Sequence, residues 1–404
     1  MKSKLGILCT HPIQYYAPLF RYLAQKTEVE PFVFYCHNPN PDQQGVGFEV
    51  PFSWDVDLMS GYRYQWLNNK SKRPGLLNFN GYDTPEIVDI INREKFDAFL
   101  IQGWNTKSMW QAIRACWKTN TPLLVRSDSH LHTSTSFLKR AVKELIYPYF
   151  IKKFFACLAV GKWSEGYFTH YGAKRIIFSP HFVDNLWFAQ ESAKWISHAS
   201  EIRQEFGIPL RSIVFLFAGK FEGKKRPLDF LRALEKVLMR NISNNKVHVL
   251  MVGDGALRKS CEEFARERSL PVSFAGFLNQ TEMPKAYAAS NVLVLPSDGR
   301  ETWGLVVNEA MASGLPAIVS DQVGCGPDLL KCGQTGFTFP FGDTSSLADK
   351  MYQIIIENSV EEMGKNAKEH IANYSVDRAA QGVIQAVAQV ESCSEIQGGS
   401  SSKK

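Results

Sequence analysis

Short apolar runs alternate with amphipathic, helix-period stretches along most of this chain, and that alternation narrows its possible folds more than any other feature. Runs this short, broken by helical segments, are the pattern of βα units laid on a parallel sheet. In the first half it predicts strands at 4–9, 30–35, 98–101, 123–126, 156–160 and 176–178, with helices at 18–26 and 108–119. Residues 185–211 are polar and helical, with a break at Ile208-Pro209. The alternation then restarts, predicting strands at 213–218, 247–252, 272–275, 292–295, 317–319 and 336–339. Helices are expected at 227–240, 256–268, 283–289, 306–313 and 345–358.

A chain of 404 residues is too long for one ordinary core, so two α/β domains are expected. The first is assigned to 1–184 and the second to 185–374. A further helix at 375–392 is expected to return to the first domain, and the Gly/Ser/Lys-rich tail 393–404 cannot bury a core.

The net charge of +6 favours anionic partners such as phosphates, a nucleotide or an acidic membrane surface. The basic residues are scattered and no recognition motif accompanies them, which argues against nucleic acid. No two of the eight cysteines have Cys-x-x-Cys spacing, so zinc and dithiol redox sites are not suggested, and most sit in apolar contexts as reduced, buried thiols. The first apolar run is too short for a signal peptide and none approaches bilayer length, giving the expectation of a cytoplasmic protein.

The most informative stretch runs from Leu295 to Ser320. A strand ends at Pro296, a polar loop follows, and a helix opens around Trp303–Leu305, where unpaired amides and the helix dipole can cradle a phosphate. Glu301 stands in the loop and Glu309 eight residues on, inside the helix. Two such carboxylates can grip vicinal hydroxyls at the two ends of one segment. On spacing alone, a capping Glu301 and a solvated Glu309 fit equally well.

Pro296-Ser297, Glu301-Thr-Trp-Gly-Leu-Val-Val-Asn-Glu309, Ala310-Met-Ala and Gly314-Leu-Pro together resemble the Glu-x7-Glu block of family 4 glycosyltransferases. Phe217-Ala-Gly219-Lys220 through Lys225-Arg-Pro227 is similar to that family's strand and basic loop. There an Arg and a Lys bind the donor diphosphate, and Lys220 replaces the usual Arg. Val252-Gly253-Asp254-Gly255 and Phe274-Ala-Gly276-Phe277-Leu278 match two further strand-end loops, the second beside the nucleobase. The resemblance implies a GT-B fold, two Rossmann-like domains facing each other across a cleft. The first domain would bind the acceptor and the second the nucleotide sugar.

The same resemblance implies site roles. Lys225 and Lys220, with amides from Trp303, Gly304, Leu305 and Val306, would stabilise the leaving diphosphate. Glu301 would orient the donor sugar and Glu309 the ribose, with Gly219, Gly253, Phe277 and Leu278 completing the nucleotide site. The implied reaction is retaining sugar transfer to an acceptor hydroxyl, with no metal and no cofactor besides the nucleotide-sugar substrate. Glycan, polysaccharide or glycolipid synthesis would be its setting, and the acceptor a glycan, a lipid-linked molecule or a small molecule. Nucleotide-sugar epimerisation or hydrolysis, or an inactive nucleotide-sugar-binding subunit, are the alternatives.

In the first half, Thr10-His11-Pro-Ile-Gln14-Tyr15 follows the first strand, at the strand end where open α/β sheets bind ligands, and resembles the start of a bacterial branch of the family. His11, Gln14 and Tyr15 are therefore acceptor candidates. So are Arg126, Asp128 and His130 after the 123–126 strand, with Asp128 preferred for the reacting centre. Gly103-Trp104-Asn105 is a further candidate wall. Phe178-Ser-Pro-His181-Phe-Val-Asp184 is expected only as the crossing between domains. Residues 137–155 carry Lys139, Arg140, Lys143, Lys152 and Lys153 among large apolar residues. Two readings stay open there: the solvated basic face of a helix pair, or a patch for peripheral membrane contact.

Overall fold

A computed structural model describes the chain except residues 1, 76–77, 133–136, 241, 243–245 and 402–404; for 394–401 only the backbone is described. The chain divides into two units. One comprises 1–40, 57–181 and 376–404, and the other 41–56 and 182–375.

The first unit is built on a seven-stranded parallel sheet of β1 (Ser3–Cys9), β2 (Val29–Tyr35), β3 (Arg63–Trp66), β4 (Ala98–Gln102), β5 (Leu123–Ser127), β6 (Ala156–Ala159) and β7 (Ile176–Phe178). Its order is β3-β2-β1-β4-β5-β6-β7. The central strands are buried on both faces, as a parallel sheet covered by helices requires. Phe34, Phe99, Ile101, Ile113 and Val125 belong to one core cluster. Six of these strands coincide with expected ones to within a residue or two. The seventh, β3, was not expected, because an edge strand reading Arg-Tyr-Gln-Trp carries no apolar run.

The second unit has a six-stranded parallel sheet of β8 (Ile213–Ala218), β9 (Val247–Val252), β10 (Val272–Gly276), β11 (Val292–Leu295), β12 (Ala317–Ser320) and β13 (Gly336–Phe339). The order β10-β9-β8-β11-β12-β13 reverses direction between β8 and β11, which places a topological switch point at the carboxyl ends of those strands.

Two segments depart from the expected division. Residues 41–56 fall in the expected first domain yet cluster with the second unit. The Phe48 and Phe52 rings lie 5.0 and 4.5 Å from that of Phe277, and Asn279 Nδ2 donates to the Ser53 carbonyl at 2.8 Å. The last helix, Val376–Ser401, runs past Ser392, through much of what was expected to be a structureless tail. It belongs to the first unit, where Ser179 Oγ donates to the Ala379 carbonyl at 2.9 Å and Tyr22 hydrogen-bonds Asp377. The end of that tail, 402–404, lies outside the described residues. Among the described residues, no helix is long and apolar enough to cross a membrane.

Candidate active site

The switch point of the second sheet gathers the loops singled out in the sequence. After β8, Gly219 turns the chain into the basic loop that carries Lys224 and Lys225. After β11, the polar loop carries Glu301 to the helix Leu305–Ala312. The two loops are tied by the Asp298 amide, which donates to the Lys224 carbonyl at 2.8 Å. Lys225 Nζ forms an ion pair with Glu301, each side chain only 13% exposed.

Glycine is required at two points here. Gly304, the residue before the helix, has φ 96°, and a Cβ there would stand 2.8 Å from Leu295 Cδ2. Gly253 has φ 121°, and its Cβ would come within 2.0 Å of the Gly219 carbonyl oxygen. Side chains at these positions would push the strand-end loops apart. Open backbone is thereby left beside Lys225, whose Cε is 3.7 Å from where a Gly219 Cβ would be. The Gly304, Leu305 and Val306 amides begin the helix, where backbone N–H groups lack intrahelical acceptors and the dipole is positive. A cation, a glycine-lined strand end and a helix start are together the features that an anion site requires.

Glu309 is buried in that helix, and its Oε2 accepts a 2.5 Å hydrogen bond from the Tyr287 hydroxyl. Tyr287 was not foreseen. Its apolar neighbourhood in sequence gave it the look of ordinary core, and only the fold aims its hydroxyl at Glu309. The Trp303 side chain is a packing element: it is buried and donates through Nε1 to Asn308 Oδ1 at 2.8 Å. Any ligand contact from Trp303 must therefore come from its backbone.

Lys220 is placed differently from Lys225. Its Nζ donates to the Val46 carbonyl at 2.5 Å and lies 5.1 Å from the centre of the Phe48 ring. Burial lowers its pKa from the ordinary lysine value. Phe277 packs against Phe48 and Phe52, while Leu278 beside it is half-buried. The segment 41–56 thus covers the Lys220 and Phe277 side of this site.

The first unit has its own cavity, about 180 Å³, at the carboxyl ends of β4, β5 and β6. It is lined by Tyr16, Gln102, Gly103, Trp104, Asn105, Arg126, Ser127, Asp128, Ser129, Val160 and His181. Asp128 and the 103–105 wall are among the expected residues. Arg126 also lines it, but its guanidinium is committed to backbone, with Nη2 donating to Pro180 O at 2.6 Å and Nε to Ser179 O at 3.2 Å. It braces the loop after β7 more than it offers donors to a ligand.

His181, expected only in the crossing, faces this cavity with its Nε2 4.0 Å from Asp128 Oδ2. Burial first, and then Arg126, drive its pKa well below the usual histidine value. Tyr16 lines the cavity as well, its pKa pushed up to about 12, mainly by burial. His181 stands in the stretch expected only to cross between domains, and Tyr16 directly follows the Thr10–Tyr15 stretch, so neither was singled out for this cavity. His11, Gln14 and Tyr15 do not line this cavity. His11 bonds Thr10 Oγ1 at 3.0 Å and is held at a pKa of about 4 by burial and then by His37. His130 packs on Trp163 instead, at 5.1 Å between ring centres.

Residues 199–370 match the family described as "Glycosyl transferases group 1". The sulfoquinovosyl transferase of Arabidopsis thaliana is 32% identical over 182 residues, 44% of this chain and 33% of that protein. The N-acetyl-alpha-D-glucosaminyl L-malate synthase of Bacillus anthracis is 28% identical over 189 residues, 46% of this chain and 47% of that one. The matches therefore span only a third to a half of these relatives. The crystal structure of Anabaena HepE in complex with UDP superposes with a TM-score of 0.69 over 96% of this chain and 100% of the other, at 16% identity. Two parallel-sheet α/β units and the superposition lead to one conclusion: the chain has the GT-B fold, and within it residues 199–370 are similar to the group 1 glycosyl transferases.

Proposed function

We propose that this protein is a retaining glycosyltransferase that moves a sugar from a nucleotide-sugar donor to an acceptor hydroxyl in glycan, polysaccharide or glycolipid synthesis. The observation that carries the reading is the secluded Lys225–Glu301 pair beside Gly219 and the start of the Leu305–Ala312 helix. A diphosphate seated there meets a lysine and a row of amides, and Glu301 stands where a sugar hydroxyl can hydrogen-bond to it. HepE, similar in fold, was crystallised with UDP, and the Arabidopsis relative is named for sulfoquinovosyl transfer.

In the proposed reaction the bond from C1 of the sugar to the diphosphate oxygen breaks. Lys225 and the helix amides stabilise the charge that develops on the leaving group. The acceptor oxygen forms its bond to C1 on the same face, and its proton passes to a diphosphate oxygen. The products are the glycoside and the nucleoside diphosphate. Glu309, fixed by Tyr287, holds the ribose hydroxyls. Asp128, in the cavity of the first unit, contacts the acceptor or sugar. Charge compensation comes from lysine and amides, so transfer is expected to continue in the presence of EDTA.

The test begins with thermal shifts against UDP, GDP, ADP, dTDP and CMP, since a ligand bound only by the folded state raises its stability. Transfer from the matching nucleotide sugar is then followed by NMR of the anomeric carbon. An inverted product would overturn retention. Donor consumption without transfer to any acceptor would favour a hydrolase or epimerase. A bound donor that never turns over would favour a binding subunit.

A further inference from the structure

The helix Phe137–Ile151 is attached to the first unit mainly through its C-terminal turns. Phe150 and Ile151 are buried, and Tyr147 and Phe150 pack on Trp104 at 6.1 and 5.6 Å between ring centres. The rest of the helix stands in solvent with a large apolar face. Leu138 is 77% exposed, Leu145 81% and Tyr149 68%.

With about 100° of rotation per residue, Phe137, Ala141, Leu145, Leu138, Tyr149, Val142 and Ile146 fall in a single arc of about 180° that contains no charged residue. An arc of this extent on a surface helix marks a place where something apolar is meant to sit.

The surroundings of the arc identify the occupant. Lys139 and Lys143 lie next to its Ile146 edge. Lys152 and Lys153 follow the helix, and Lys153 Nζ stands 4.1 Å over the Tyr149 ring. The one acidic residue of the helix, Glu144, lies beside the arc's other edge, next to Phe137, where it is bonded to His170 Nε2 at 2.9 Å. An apolar arc with cations along its Ile146 edge, its single neighbouring carboxylate engaged by a histidine, and a lysine–tyrosine pair at its end matches a bilayer whose headgroups are anionic and whose acyl chains begin just below. We propose that this helix docks the protein on an anionic lipid surface, its apolar arc at the acyl boundary and its lysines among the lipid phosphates. Trp104, on which the foot of the helix rests, also lines the cavity with Asp128. Docking therefore brings that cavity to headgroup level, within reach of a lipid-borne acceptor. That consequence rests on the transferase reading, whereas the docking does not.

The full chain should be sedimented with phosphatidylcholine vesicles with and without phosphatidylglycerol, at low and high salt. It is expected to co-sediment with the anionic vesicles, at least tenfold more weakly with neutral ones, and less as salt screens the lysines. Leu138→Glu with Leu145→Glu should abolish sedimentation and leave the melting temperature unchanged. Lys152→Ala with Lys153→Ala, which removes the lysine over Tyr149 but leaves every aliphatic side chain of the arc in place, should reduce only the preference for anionic vesicles. Equal sedimentation of the wild type and both variants would overturn the proposal, as would no sedimentation at all. So would a wild-type dimer that the leucine variant dissociates, since the arc would then belong to a second copy of the chain.

Discussion

Lys225 Nζ and the Glu301 carboxylate neutralise each other across two loops that are 76 residues apart in sequence, with little access to water. In the proposed reaction a donor diphosphate arriving at Lys225 would share a charge already engaged, and the pair would orient both partners before the donor binds. Lys225→Ala removes the cation and leaves Glu301 partly buried without it. The expected result is a loss of transfer of about 10²–10³-fold, as for removal of one preorganised donor to developing negative charge. The folded state should lose on the order of 1–3 kcal/mol. Steady-state rates and thermal melts read the two effects separately, and unchanged transfer in Lys225→Ala would sink the site.

Tyr287→Phe deletes the hydroxyl that fixes Glu309 without altering ring volume. A hydrogen bond to a charged group contributes about 1.5–3 kcal/mol, so donor affinity should fall about 10- to 100-fold. Glu309→Ala should weaken it at least as much. Calorimetric titration with nucleotide reads the loss of affinity, and the melting temperature of Tyr287→Phe without ligand, which should fall by a few degrees as the buried carboxylate loses its donor, reads the cost to folding separately.

Gly304→Ala places a methyl group at φ 96° against Leu295. Backbone strain and overpacking together should cost about 2 kcal/mol or more, which lowers the melting temperature by about 4–8 °C. Nucleotide binding should suffer as well, because the helix start would be displaced. A variant with wild-type melting and affinity would show that the turn is not under this constraint.

Two histidines predict a pH dependence of stability. Burial first, with Arg203 beside it, lowers His248 from 6.5 to about 4, and burial with His37 does the same to His11. The folded state holds these rings neutral while the unfolded chain protonates them near pH 6.5. Their contribution is therefore complete above pH 6.5 and is lost as pH falls toward 4, by about 3 kcal/mol for each ring at most. His248→Asn should flatten the fall in melting temperature between pH 6.5 and 4, and an unaltered slope would contradict the assignment.

Much of the architecture could be read from apolar runs, because strands of a parallel sheet are buried on both faces and cannot hide their composition. β3 escaped for the converse reason: an edge strand with exposed Arg63, Tyr64 and Trp66 has no apolar run. Glu301, Glu309 and Lys225 could be singled out because their neighbours form patterns continuous in sequence, and the structure brings Lys225 to Glu301. Tyr287, His181 and Tyr16 were not, since what matters about each is a partner or a cavity that only the folded chain supplies. The segment 41–56 was misassigned on the same ground, its place on Phe277 being made by Phe48 and Phe52 from more than 220 residues away.

The division of the chain has a consequence for how it is made. It passes between units at 40/41, 56/57, 181/182 and 375/376, so the first unit contains residues synthesised both before and after the whole of the second. The backbone after β7 is met by Ala379 and Gly382 of the last helix, which leaves the ribosome after the whole second unit. Until then that end of the first sheet lacks its cover, and a nascent chain must carry it bare while the second unit folds. Termination before residue 376 should leave a product that aggregates through the first unit, even though the group 1 region within it is intact.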